Sequence, residues 1–189
     1  VTPLTHLANA YSNKLTGDGV DAVDAISAGH TEIEELYGVE LLSIDPLDIT
    51  NDSLSESELD SAVTYGLWLT GLSYRAEEYE TNSVALINAM ADDLRDDGLF
   101  NGGVAVEGIN LGPDQYRNDL ADSLLEVVRS DSNSAGITLS DSLPYIQSIA
   151  ESQHAAFNDH PVIPFDAEGP VVEPSGFNEG SFFTDTVNL

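Results

Sequence analysis

Two short acidic segments carry enough carboxylates to bind a divalent cation. In the run DDLRDDG, Asp93, Asp96 and Asp97 lie just before a glycine-rich stretch. Like charges that share a helix face repel each other unless a cation or an arginine lies between them. Calcium takes about six to eight oxygen ligands, so these carboxylates, together with main-chain carbonyls of residues 98–101, could form a non-standard Ca²⁺ site. The alternative is a solvated helix end. The spacing does not fit an EF-hand, because Arg95 would occupy a ligand position.

The second oxygen-rich segment contains Asp45, Asp48, Asn51 and Asp52. These residues could also supply oxygen ligands to Ca²⁺. Aspartate and asparagine equally form local turns by accepting hydrogen bonds from the backbone, and this is the interpretation we favour here. Calcium is therefore the only cofactor that the sequence suggests.

Motifs for other chemistry are missing from the sequence. There is no cysteine, which excludes disulfides, thiolate metal sites and cysteine nucleophiles. The HExxH, GxSxG and P-loop motifs are absent. His154 and His160, with Asp159, could form a weak site, although exposed histidines are the simpler interpretation. A hydrolase with an acidic site is the least favoured hypothesis, since carboxylate pairs can be chosen anywhere in so acidic a chain.

The charge balance limits the possible partners. The 189 residues include 5 Lys and Arg against 34 Asp and Glu, a net charge of −29. Such a surface repels nucleic acid and anionic lipid, and it attracts cations and basic proteins. We therefore expect no nucleic-acid partner. We also expect no membrane insertion, because no run reaches about 20 apolar residues. The acidity fits a marine, halophilic or calcium-rich setting, or general solubility. Because Val1 is not an initiator, we expect a segment excised from a longer precursor.

A long apolar helix is predicted at residues 55–80. It contains the single tryptophan, Trp68, and Ser55 with Glu58 fits a capping box at its start. Its apolar residues surround most of the helix, which is typical of a helix enclosed by others. Gly66 and Gly71 lower helix propensity, and we expect them to allow a neighbouring helix to approach closely. The predicted fold is therefore mainly α, a compact multi-helix bundle around this central helix.

Caps and periodicity predict the other helices. Thr2 and Pro3 begin the first. We predict the others at residues 20–28 (stopped by Gly29), 31–37 (ended by Gly38), 84–97 (capped by Asn82 or Ser83 and ended by Gly98), 112–129 and 140–156 (with Pro144 in its first turn). The apolar segment 39–54 is expected to wrap over the bundle.

The composition changes after Phe157, which suggests a bundle domain at 1–156 and an extended tail at 157–189. The tail holds four of the eight prolines and lacks helical periodicity. It is nevertheless too apolar for a plain linker, so we expect it to dock on its own bundle, a following domain or a neighbouring copy. The predicted assembly residues are Val162, Ile163, Phe165, Val171, Val172, Phe177, Phe182 and Phe183.

Three segments resemble a helical domain of large secreted lipoproteins and adhesin-like surface proteins of marine and other Gram-negative bacteria. They are TPLTHLANAY, IDPLDI and DDLRDDGLFNG, and the similarity spans about residues 1–156. The resemblance implies an extracytoplasmic location and a spacer, adhesive or assembly role, and it carries over no catalytic residue. With no lipobox cysteine, any anchor would lie outside this segment.

The leading hypothesis is a non-enzymatic structural or adhesive domain of an extracellular or surface-attached protein. We expect assembly through the tail, with the protein partner being an adjacent domain or another copy. A calcium-stabilised binding module is the alternative.

Overall fold

The computed structural model describes residues 2–50, 61–104, 108–109, 111–157 and 160–168, and over these ranges the protein is mainly α-helical. The described chain contains the helices α1 (Pro3–Gly17), α2 (Ala22–Tyr37), α3 (Ser61–Glu78), α4 (Ser83–Asp97), α5 (Leu120–Arg129) and α6 (Leu139–Ala150). A π-helix (Gln115–Asp119) leads into α5, and a 3-10 turn (Ala155–Phe157) follows α6. The predicted fold class is confirmed at this level. None of the described helices is long and apolar enough to cross a membrane.

Local capping signals predicted most helix ends correctly. The Thr2 side chain caps α1 in a reciprocal pair with Thr5, and Pro3 occupies the first turn. At α4, Asn82 Oδ1 accepts the Ala85 N–H at 2.9 Å. Gly38 and Gly98 end their helices in the left-handed conformation, which glycine adopts without steric cost.

The prediction that Gly29 separates two helices is wrong. α2 runs without a break from Ala22 to Tyr37, and Gly29 is buried in its middle against α1. A Cβ atom added to Gly29 would lie 2.2 Å from Ser12 Oγ and 2.5 Å from the Ala8 carbonyl oxygen. Glycine is needed here because the two helices touch, and this contact outweighs its low helix propensity.

The apolar helix α3 contributes the largest buried side chain of the core. Trp68 has 0% of its surface exposed, and its ring meets the Tyr37 ring edge-on with 5.0 Å between centroids. Gly71 faces Leu124 of α5, as expected for close helix packing. Gly66 instead faces the Leu47 carbonyl oxygen, so a loop rather than a helix approaches there. The predicted capping box at Ser55 lies outside the described residues.

The loop after α2 covers the helices only in part. Leu41 and Ile49 are buried, and Leu47 packs partly buried against the core, whereas Leu42 is 75% exposed. The Ile49 carbonyl accepts the Ala135 N–H at 2.9 Å, which ties this loop to the segment between α5 and α6.

One predicted helix differs in its internal geometry and another in its bounds. The helix predicted at 112–129 is helical from Pro113 to Arg129, with a π-helical turn at Gln115–Asp119 before α5. The helix predicted at 140–156 ends at Ala150, and Pro144 lies in its interior rather than in its first turn. After Ala150 the chain turns back toward the π-helix, where Arg117 binds it.

Candidate functional site

A buried arginine on the π-helix joins three parts of the chain. Arg117 is 1% exposed. Its Nη1 donates to the carbonyl oxygens of Ser152 at 3.1 Å and His160 at 3.2 Å. Its Nη2 donates to the Pro161 carbonyl oxygen at 2.9 Å and to Asp114 Oδ1 at 3.3 Å. The guanidinium of Arg117 thus binds both Asp114, near the start of the same helix, and the chain that follows α6.

Neighbouring aromatic rings fix the position of this arginine. The Arg117 guanidinium lies over the Phe157 ring, 5.1 Å from its centroid, where a cation is attracted to the face of the ring. Phe157 packs in turn near Phe100, which contacts Tyr116 of the same π-helix. π-helical turns are rare and often occur at functional sites. Here the π-helix buries the consecutive residues Tyr116 and Arg117.

We call residues 160–168 the docked segment, because contacts at both ends hold it on the helices of its own chain. Arg117 binds its first two carbonyl groups. Arg129, at the end of α5, donates from Nη2 to the Ala167 carbonyl oxygen at 2.6 Å. Between these points, Phe165 packs partly buried against the core. Residues 160–168 therefore contact the helices of their own chain.

The predicted assembly residues divide into two groups. Phe165 faces the chain's own core, Val162 is half-buried, and Ile163 remains 49% exposed. The others lie outside the described residues, and their role in assembly stays a prediction: Val171, Val172, Phe177, Phe182 and Phe183.

A cavity of about 260 Å³, which we call the Arg117 cavity, lies between the arginine and the docked segment. Its walls are Arg117, Gln153, His154, Phe157, His160, Pro161 and Val162. His160 Nε2 is 3.4 Å from Asp114 Oδ2, and His154 Nδ1 is 3.6 Å from Glu32 Oε1. The two histidines that the sequence singled out therefore lie together at this cavity. Asp159 lies outside the described residues.

The predicted calcium ligand Asp93 is buried, and it binds protein groups. It is 1% exposed. Its Oδ2 accepts the N–H groups of Asn101 and Gly102, both at 3.0 Å, and the Tyr116 hydroxyl at 2.9 Å. Its Oδ1 accepts the Val104 N–H at 3.3 Å. Burial, with the Asp93 charge adding to it, raises the pKa of Tyr116, so this hydroxyl keeps its proton and remains a donor.

The other described calcium candidates bind local protein groups or lie at exposed positions. Asp97 accepts the Leu99 N–H and the Asn101 side-chain amide, Asp96 is exposed, and Asp45 is exposed. Asp48 Oδ1 accepts both the N–H and the hydroxyl of Thr50, which is turn chemistry. Asp52 lies outside the described residues. Within the described ranges no three His, Asp or Glu side chains gather as a metal site, and the calcium prediction stays a prediction.

A second charged cluster surrounds Arg75 on the face between α3 and α5. Arg75 pairs with Glu78 at 2.7 Å and with Asp119, and it lies over the Tyr79 ring. Partial burial, with the Glu78 charge adding to it and the Arg75 charge opposing it, raises the pKa of Asp119. Nearby, desolvation and the charges of Asp119 and Glu78 raise the pKa of Asp122 to about 6. The cluster is an ion-pair network in which carboxylates outnumber the arginine.

Sequence reasoning missed Arg117, the residue with the most partners at this site. The available signal was the scarcity of basic residues. The chain has 5 of them, and one, Arg117, is buried within an apolar helical pattern. Its partners are mostly main-chain carbonyls, and these carry no sequence signature.

The chain matches no protein-family model, and no curated protein and no solved structure is detectably similar to it. A function therefore rests on the contacts described above.

Proposed function

We propose that this chain is a non-enzymatic structural or adhesive domain of an extracellular or surface-attached protein. In this proposal the helices form a bundle around α3, and an extended proline-rich tail leads from the bundle to a protein partner. The partner is another copy of the chain or an adjacent domain. The resemblance in residues 1–156 and the net charge of −29 support an extracytoplasmic, cation-rich setting.

The observation that carries the proposal is the fixed path of the docked segment. Arg117 and Arg129 bind main-chain carbonyls of this segment, and main-chain recognition holds an extended chain whatever its side chains are. The docked segment, which ends at Glu168, therefore has a defined position on the helices. A defined position of the docked segment suits a domain that must present an apolar strand to a partner in one orientation.

The buried charges also support a structural role. Among the described residues, the buried charged side chains are Asp93 and Arg117. Asp93 binds main-chain N–H groups of the loop that follows α4 and the Tyr116 hydroxyl, and Arg117 binds mainly carbonyl groups of the chain after α6. Their bonds hold loops onto helices. This use of buried charge stabilises one arrangement of the chain.

Truncation after Glu168 tests the proposal. The shortened chain keeps the docked segment and removes most of the predicted assembly residues. Light scattering at about 0.5 M NaCl, where charge repulsion is screened, should show that the full chain associates and that the shortened chain is monomeric with an unchanged melting temperature. A full-length variant with Phe177, Phe182 and Phe183 changed to Ser should behave like the truncation. Equal association of all three chains would contradict the proposal.

A calcium-stabilised binding module is the second candidate, favoured by one local arrangement. A Cβ atom built on Gly103 would lie 2.9 Å from Asn101 Oδ1, 3.6 Å from Asp96 Oδ2 and 3.7 Å from Asp93 Oδ1. Three side-chain oxygens thus lie around Gly103, and two of them accept the N–H groups of Gly103 and Val104. This candidate predicts that EDTA lowers the melting temperature at low salt, and that Asp96→Asn abolishes the effect. A melting temperature that is indifferent to EDTA would remove it.

A further inference from the structure

We propose that the exposed apolar surface at the beginning of α2 binds residues 177–183 of a neighbouring copy of the chain. The inference rests on the proposed function, in which the tail assembles with a protein partner, and it names the surface that receives the tail. We call this surface the α2 face and define it by Val20, Val23 and Ile26.

The α2 face concentrates exposed apolar side chains in one place. Six large apolar side chains are exposed in the described part of the chain, and three of these form the α2 face: Val20 at 37%, Val23 at 74% and Ile26 at 55%. Apolar residues that are exposed singly are normal, whereas a contiguous group marks a surface that binds another molecule. The grouping on α2 therefore indicates a docking surface.

The same side of α2 is buried further along the helix. Ile33 and Tyr37 continue the line of Ile26, because steps of four and seven residues return to one side of a helix. Both are buried, and the Tyr37 ring packs against Trp68 of α3. The helices of the chain thus cover the end of this apolar stripe and leave its beginning exposed.

The α2 face and the end of the docked segment lie toward opposite ends of the helices. α2 begins where α1 ends, and α4 ends there too, since a Cβ atom added to Gly98 would lie 3.4 Å from Lys14 Cε. The π-helix before α5 starts at the same end, because Tyr116 binds Asp93 of α4. Arg129, which binds the docked segment, lies at the other end of α5. This separation favours a heterologous contact between copies.

Residues 177–183, with the sequence FNEGSFF, suit the α2 face in chemistry and in reach. Three of these side chains are phenylalanine, and aromatic residues are enriched at the buried centres of interfaces. Phe177 and Phe183 follow Glu168 by 9 and 15 positions. An extended chain of that length reaches about 30–50 Å, which is enough to extend to a neighbouring copy.

The α2 face of a second copy is a less suitable occupant than the tail. Asp21 and Asp24 are exposed beside the α2 face, so two such faces in contact would bring four carboxylates together. Like charges placed opposite each other at an interface oppose binding. Residues 177–183 carry one carboxylate, that of Glu179, and therefore avoid most of this repulsion.

Light scattering of the full chain at about 0.5 M NaCl tests the inference. The double variant Val23→Ser with Ile26→Ser, which we call the face variant, removes exposed apolar side chains and keeps the net charge. We expect it to associate at least about 10-fold more weakly than the parent, with an unchanged melting temperature. Leu42→Ser is the matched control, because Leu42 is exposed on a loop, and it should associate like the parent.

Mixing two full-length variants shows whether the tail itself binds the α2 face. The face variant keeps the tail, and the variant with Phe177, Phe182 and Phe183 changed to Ser keeps the α2 face. At a concentration where each alone is monomeric, an equimolar mixture should form a complex with one copy of each. A mixture that stays monomeric would overturn the inference.

The outcomes separate this inference from the proposed function. If the face variant associates as strongly as the parent while truncation after Glu168 abolishes association, the tail binds another surface and only the inference is overturned. If the parent chain itself is monomeric, the proposed function fails as well.

Discussion

Arg117 donates a hydrogen bond of 2.9 Å from Nη2 to the main-chain carbonyl of Pro161, 44 residues further along the chain. The same side chain donates to the carbonyl oxygens of Ser152 and His160, so it binds the chain after α6 at two separate places. Replacing Arg117 with Met keeps an unbranched apolar side chain and removes the donors. Each carbonyl left without a donor costs about 1–3 kcal/mol, and we expect a loss of about 2–4 kcal/mol in the free energy of unfolding.

Urea denaturation measures the stability loss of Arg117→Met, and amide hydrogen exchange of residues 160–168 reports release of the docked segment. Arg95→Met is the control, since Arg95 is exposed and pairs with Asp92 on the helix surface. Such pairs contribute about 0–1 kcal/mol. Equal losses in the two variants would contradict a special role for Arg117.

Asp93 holds the loop after α4 by accepting three N–H groups and the Tyr116 hydroxyl. Asp93→Ala leaves these donors without their acceptor, and we expect the free energy of unfolding to fall by about 3–5 kcal/mol. Asp96→Ala, at an exposed position in the same acidic run, should change it by less than about 0.5 kcal/mol. Chemical denaturation of Asp93→Ala and Asp96→Ala measures both changes in the free energy of unfolding. Equally small changes in the two variants would show that Asp93 is dispensable.

Gly29 allows α1 and α2 to touch, because an added Cβ atom would collide with Ser12 Oγ and with the Ala8 carbonyl oxygen. Gly29→Ala should destabilise the protein by about 1–3 kcal/mol, since a backbone atom cannot move aside cheaply. Gly17→Ala is the matched control: nothing lies within 4 Å of its added Cβ atom, and the change should be neutral or slightly stabilising. Thermal melts that rank the two variants in the opposite order would refute this packing.

Asp122 should make stability depend on pH. Its pKa is raised to about 6 in the folded protein, above the ordinary value of about 3.9. Between these values the folded state binds more protons than the unfolded state, so the free energy of unfolding falls as pH rises from about 4 to about 6. Asp122→Asn should therefore be more stable than the parent at pH 8, and the difference should vanish near pH 4.

The side chain of Asp122 is exposed, so solvent screening limits the expected gain to about 0.3–1 kcal/mol. Asp131→Asn changes the net charge equally at another exposed position and serves as the control. Denaturant titrations across pH 4–8 measure both variants. A gain in Asp122→Asn that is no larger than in Asp131→Asn would mean that only net charge matters.

Sequence signals that act within one helical turn predicted local structure, whereas roles set by distant residues were not predictable. Caps act within one turn, so Thr2, Asn82 and Gly98 predicted their helix ends correctly. Gly29 was wrongly predicted to end a helix, because its role depends on its contact with α1. Arg117 was not predictable as a site residue, since its main partners are carbonyl groups 35–44 residues away and every residue type has one. Among the predicted site residues that the structure describes, His154 and His160 line one cavity, and Asp93 and Asp96 lie close to Gly103.

Residues 160–168 contact the helices of their own chain, and one distance measurement tests this directly. Because the protein has no cysteine, spin labels can be placed at Asp24→Cys on α2 and Glu168→Cys at the end of the docked segment. Double electron–electron resonance should give one narrow distance that persists when labelled protein is diluted with unlabelled protein, and Arg117→Met should broaden it. A broad distance in the parent chain, or a distance lost on dilution, would contradict the claim.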